Sequence, residues 1–236
     1  MPYLSKMLNE LIIKTNTEDF YSNGNLTPIS IKGQIGEFDM VDLELEIEET
    51  KIDQSKEKYT SSKNIEYWNI TAYKTIAFNN LYTPVYFPYV KLQLIKDHPL
   101  LWKYKTDELE CELSGIPVNY NEFIGALYHV FTKNAGNWIT INRCLFRLHG
   151  AKTEERKRVL IIPEPLRQPI MELCKDFSIN FHVIHVTRGK NKGYANRPDL
   201  KLLMFGNEVV SPNKFNSRQP YIIAEDFKAK KRKNRA

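Results

Sequence analysis

Only three cysteines occur in 236 residues, Cys111, Cys144 and Cys174, widely spaced and without a Cys-x-x-Cys pair. An odd number at such spacings fits neither a disulfide framework nor a zinc knuckle and points to a reducing compartment. Long apolar runs are missing too. No stretch approaches the roughly 18 apolar residues of a membrane span, and Met1 to Lys14 lacks the unbroken apolar core of a signal peptide. The expectation is a cytoplasmic, intracellular protein with no membrane partner. Catalytic fingerprints are likewise absent: there is no Gly-x-Ser-x-Gly, no His-Glu-x-x-His and no dinucleotide-binding glycine pattern. The five histidines supply one His-x-Thr, at His185 to Thr187, where a two-histidine phosphoesterase needs two.

What is present describes an ordinary globular chain. Hydrophobic residues make up 42% and charged residues 26%, a balance that excludes wholesale disorder. Thirteen tyrosines and twelve phenylalanines tilt the content toward strands. The formal charge of +6 is unevenly placed. Lys228, Lys230, Lys231, Arg232, Lys233 and Arg235 account for all of it, so residues 1–227 are balanced, while residues 1–60 hold 12 acids against 6 bases. The basicity therefore belongs to a short segment, read here as a disordered tail.

Periodicity gives an α+β fold. Leu4, Met7, Leu8, Leu11 and Ile12 recur at helical spacing, and Asn23-Gly24-Asn25 signals a turn. From Val41 the pattern alternates, with Val41, Leu43, Leu45 and Ile47 on one face and Asp42, Glu44, Glu46 and Glu48 on the other, which is a half-buried strand with an acidic outer face. Asp53 to Asn64 reads as a loop. Strands are expected at 67–78, 82–87, 89–95, 108–113, 138–146, 159–162, 180–186, 200–205 and 221–227. Helices are expected at 120–134, with Asn119 as N-cap and Gly136 as stop, and near 169–177. The organisation expected is a β-rich α+β domain over 1–150, a smaller α/β subdomain over 151–227 and the basic tail over 228–236.

Three sets of residues carry candidate functions. The six cations from Lys228 to Arg235 could neutralise phosphates, as could Arg188, Lys190 and Lys192 in the loop Arg188-Gly189-Lys190-Asn191-Lys192-Gly193. That loop is not a P-loop, since no Ser or Thr follows a Gly-Lys pair. Tyr82, Tyr86, Phe87 and Tyr89 form an aromatic cluster that either stacks bases or packs a core. His182 and His185, three apart on a strand, are expected on opposite faces, which argues against shared metal ligation.

Arg197-Pro198-Asp199, an apolar run to Phe205, and then Glu225-Asp226-Phe227-Lys228 resemble the PD-(D/E)xK pattern of metal-dependent nucleases. The resemblance covers about thirty residues. It implies that Asp199 and Asp226 hold Mg²⁺ through oxygen ligands while Lys228 orients or deprotonates the attacking water. Without that resemblance no cofactor is expected. The leading functional expectation is a non-enzymatic accessory or adaptor subunit of an intracellular nucleic-acid-associated assembly, contacting polyanion through its basic segment and having a protein partner. The alternatives are the nuclease and a protein-interaction module of immunity or inhibitor type that offers its acidic strand face to a basic partner.

Overall fold

The computed structural model describes residues 6–34, 39–53, 60–79, 81, 87–88, 91–115, 117–136, 138–139, 141, 157–187, 197–206 and 220–232. They form an α+β fold, mostly β, in two compact units. The first contains the described residues up to Lys96 and again from Asp199 onward; the second contains those from Asp97 to Pro198.

In the first unit, α1 (Lys6–Thr15) turns Leu8, Leu11 and Thr15 inward at helical spacing. The short α2 (Glu18–Asn23) begins on Thr17, whose hydroxyl accepts from the Phe20 N–H at 3.1 Å. Three long strands follow as an antiparallel meander: β1 (Gly24–Gln34), β2 (Met40–Asp53) and β3 (Thr60–Tyr73). After β4 (Ala77–Asn79), β5 (Phe87–Pro88) pairs with β1 and β6 (Lys91–Ile95) joins a second sheet. The remaining strands come from the far end of the sequence: β10 (Lys201–Gly206), β11 (Tyr221–Ala224) and β12 (Asp226–Lys231). One sheet has the order β12-β3-β2-β1-β5 and the other β4-β11-β10-β6. Their apolar faces share a core with α1, in which Leu43, Leu45, Ile47 and Ile70 of the first sheet meet Leu203, Phe205 and Ile222 of the second. Alternation explains the selection, because Val41, Leu43, Leu45 and Ile47 are at most 3% exposed while the acids between them face outward.

The second unit starts with α3 (Pro99–Lys105), capped by the His98 ring, whose Nδ1 accepts from the Leu100 N–H. Its sheet is built from β7 (Glu108–Ser114) at the centre, β8 (Lys157–Pro163) on one side and β9 (Asn180–Thr187) on the other, all antiparallel. Leu109, Cys111 and Leu113 of β7 pack with Phe123, Leu127 and Phe131 of α4 (Tyr120–Ala135) and with Ile170, Leu173 and Cys174 of α5 (Arg167–Asp176). The helices therefore cover one face of this sheet. The other face bears Glu108, Glu110 and Glu112. Asn119 caps α4 by accepting from the Glu122 N–H, and Gly136 stops it at φ 56°, a backbone region that favours glycine.

Several sequence expectations need correction. A boundary near Gly150 does not divide the units, since β7 pairs with strands that lie beyond it. The second unit is instead an insertion between β6 and β10, which are paired through Ile95↔Leu202. The basic tail is not disordered at its start. Lys228 to Lys231 belong to β12, registered on β3 from Asp226↔Tyr73 to Lys231↔Trp68, with Phe227 and Ala229 in the core. Part of the expected loop at 53–64 is strand, because β3 begins at Thr60. The aromatic side chains of 82, 86, 87 and 89 lie outside the described residues, as does most of the strand expected at 138–146.

Gly24 shows how tightly the meander is seated. Its φ of −110° would suit any residue, but a Cβ there would lie 2.4 Å from the Phe20 ring, and Phe20 is buried. Gly24→Ala is expected to cost about 1–3 kcal/mol through forced displacement of that ring. Gly125→Ala, at an exposed site of α4 with nothing within 4 Å, should instead gain roughly 0.5–1 kcal/mol. Urea unfolding of both variants measures the contrast.

Candidate nucleic-acid interface

Strand β12 distributes the cations of the basic segment by alternation. Phe227, Ala229 and Lys231 take the core side, and Lys228, Lys230 and Arg232 the outer side. Burial of Phe227 is worth about 1.5–3 kcal/mol, more than a partly exposed ion pair gives, so the apolar positions fix the strand and the charges follow.

Two of these cations meet acids of the same sheet. Lys231 Nζ lies 2.9 Å from Glu66, which also accepts from the Trp68 indole at 3.1 Å and pairs with Lys14 of α1 at 3.2 Å. Burial alone would raise the Glu66 pKa, but the hydrogen bonds from Lys231, Trp68 and Lys14 outweigh it and hold the carboxyl below its ordinary value. The converse holds for Lys14. Burial lowers its pKa, yet hydrogen bonds to Glu49 and Glu66 leave it above the usual lysine value. Arg232 pairs with Glu44 across the outer face. The acidic row of β2 is similarly engaged by its neighbours, with Thr71 donating to Asp42 at 2.6 Å, Ser30 to Glu44 at 3.0 Å, and Lys63 pairing with Glu48 at 2.8 Å.

Lys228 and Lys230 are exposed on the outer face of β12, an edge strand among the described residues, and lie two residues and therefore roughly 7 Å apart. Lys228 lies over the Tyr73 ring with Nζ 5.0 Å from its centre, a cation–π contact that leaves the ammonium on the surface. Arg188, Lys190, Lys192, Lys233 and Arg235 lie outside the described residues.

For the nuclease pattern, the register is informative. Lys201 pairs with Ala224, so Asp199 and Asp226, each two residues further out, lie at the same end of the β10–β11 ladder. Asp226 is paired with Lys201, however, whose side chain is 8% exposed and whose Nζ lies 3.7 Å away. The apolar sequence around Lys201 concealed this partner. Among the described residues no group of three or more His, Cys, Asp or Glu could hold a metal ion.

The histidine expectation also changes. A bulge on β9 lets Glu110 pair with His185 and Cys111 with Val183, skipping Ile184. His182 then faces Glu112, so the two histidines share the face of the glutamates rather than lying on opposite faces. The extra residue converts a spacing of three into an effective spacing of two.

The strongly shifted titratable groups lie in the core of the second unit. Burial pushes the Cys111 thiol up to about 12 and that of Cys174 up to about 11, so both behave as apolar groups. His98 is 2% exposed, and its ring meets Trp138 edge-on with centroids 5.0 Å apart. Burial lowers its pKa to about 4, with nearby Asp97 opposing the shift. No helix among the described residues is long and apolar enough to cross a membrane. No protein-family model matches the chain, and neither a curated protein nor a solved structure matches it.

His98 gives a pH prediction. Its folded pKa lies below the unfolded value near 6.5, so stability is full above pH 6.5 and is lost as pH falls from there toward 4. The loss from this group should reach about 3 kcal/mol. Urea titrations followed by far-UV circular dichroism should show that slope, and His98→Asn, whose amide oxygen can still cap α3, should flatten it.

Proposed function

We propose that the protein is a non-enzymatic accessory or adaptor subunit of an intracellular nucleic-acid-associated assembly, which touches polyanion through the outward cations of β12. The observation that carries this reading is the sorting of the basic segment into paired and presented charges. Lys231 and Arg232 are held by Glu66 and Glu44, while Lys228 and Lys230 stand exposed on the rim of the sheet. Such a row positions a phosphate backbone without reading bases. Cys111 and Cys174 are packed in an apolar core, where burial keeps both thiols protonated and poor nucleophiles.

Deleting residues 228–236 would remove Phe227's neighbours in β12, so the informative variant is Lys228→Gln/Lys230→Gln in the full chain. Filter binding to a duplex across a salt series should give a log–log slope no steeper than about −4, and the double variant should make it shallower by about 2. A slope unchanged by the substitutions overturns the reading.

The nuclease is a second reading, favoured by the common end of the ladder at which Asp199 and Asp226 lie. It requires Asp226 to leave Lys201 for a metal. Cleavage of labelled DNA or RNA with Mg²⁺ or Mn²⁺, abolished by Asp226→Asn, would establish it; cleavage that survives the substitution would remove it.

A further inference from the structure

The two exposed lysines of β12 share their face of the sheet with two tyrosines of β3. Lys228 stands beside Thr71 and Lys230 beside Asn69, so Tyr73 and Tyr67 are their diagonal neighbours, one at each end of the pair. Such a diagonal measures roughly 7–8 Å, within reach of long and aromatic side chains. The Lys228 ammonium already lies over the Tyr73 ring. The Tyr67 hydroxyl donates to Glu46 on β2, which ties the far end of that ring to the sheet. Each exposed cation is thus matched by a half-buried ring on the adjoining strand. One strand further in, the charge reverses. Asp42, Glu44, Glu46 and Glu48 of β2 lie on the same face, two strand spacings or roughly 10 Å from the β12 cations. Asp42 and Glu46 are met by the neutral hydroxyls of Thr71 and Tyr67, which leave their charge uncompensated.

We infer that this face binds single-stranded nucleic acid, with one phosphate backbone along Lys228 and Lys230 and bases laid over Tyr73 and Tyr67. The inference rests on the polyanion reading and narrows it to one class of partner. Cations that track a backbone and rings that stack bases are the two parts such a site needs. Stacking on a side chain requires a base freed from its own duplex, so only a single strand gains from the tyrosines. The acids act against the alternative. The two backbones of a duplex are separated by grooves about 6 and 12 Å wide, so a duplex with one backbone on β12 brings the other over the acidic row of β2. A duplex turned outward from β12 escapes the acids but leaves both rings unused. Tyr67 and Tyr73 are six residues and therefore roughly 20 Å apart, so the site is short, near the lower end of the about 4–16 nucleotides that single-strand-binding folds cover.

Fluorescence anisotropy of the full chain with labelled thymidine DNA and uridine RNA strands of about 20 nucleotides, and with a DNA duplex of equal length, tests this at one salt concentration. Both single strands should bind at least about tenfold more tightly than the duplex. Tyr67→Ala should weaken the single strands about tenfold and leave the duplex unchanged, whereas Tyr67→Phe, which keeps the ring, should retain wild-type affinity. Wild type gives a readout without substitution: ultraviolet crosslinking of a strand carrying 5-iodouracil should label the peptides that hold Tyr67 or Tyr73. A duplex bound as tightly as the single strands, with Lys228→Gln/Lys230→Gln weakening both, overturns the inference while the polyanion reading stands. So does a single-strand preference that survives Tyr67→Ala with no crosslink to either tyrosine. Failure of strands and duplex alike to bind removes both.

Discussion

The first unit depends on one corner where two antiparallel segments pass together from one sheet into the other. One segment runs from β3 through Lys74 to β4, and the other from β11 through Glu225 to β12. Backbone bonds cross the bend on both sides, with Glu225 N–H donating to Tyr73 and Ile76 N–H to Ile223. Lys74 adopts φ 52°, a left-handed conformation unusual for a side chain of that size, and its ammonium reaches Glu225 at 2.5 Å. Because both segments turn at the same place, the ladder is handed over rather than broken. The position of β12, and hence of every cation on it, follows from this turn.

That placement gives the uneven charge of the sequence a structural meaning. Acids concentrated in the first sixty residues and bases concentrated near position 230 lie far apart along the chain, yet β3 is the only strand between β2 and β12. Part of the opposition is resolved within one sheet, through Glu44 with Arg232, while Lys231 is held by Glu66 of β3, just beyond that acidic stretch. These contacts are partly exposed and individually modest, so they choose partners more than they hold the fold. The apolar positions of the same strands supply the cohesion.

Much of this was legible locally. The alternation of Val41 to Glu48, the Asn119 cap and the Gly136 stop are signals confined to a few residues, and β2 and α4 appear where they indicate. The missed features depend on distant contacts. Lys-Ala-Lys-Lys looks solvated until Phe227 anchors it beside β3, and nothing near Ile95 shows that its partner is Leu202. The bulge at Ile184 has no Gly or other marker in the sequence, so strict two-residue counting puts the two histidines on opposite faces where the structure puts them on one. Of the candidate site, Lys228 and Asp226 were visible as residues, but their neighbours Tyr73 and Lys201 were not.

The pairing of Ile95 with Leu202 also defines how the second unit is carried. Ile95 and Leu202, which bracket its described residues in the sequence, lie opposite each other on adjacent antiparallel strands, a separation of roughly 5 Å, the distance a tight hairpin turn spans. Topologically, the first unit is a continuous sandwich in which one turn has been expanded into a whole folding unit. Tension applied between the two ends of that insert would load the β6–β10 ladder from its end, one pair of strands opening like a zipper.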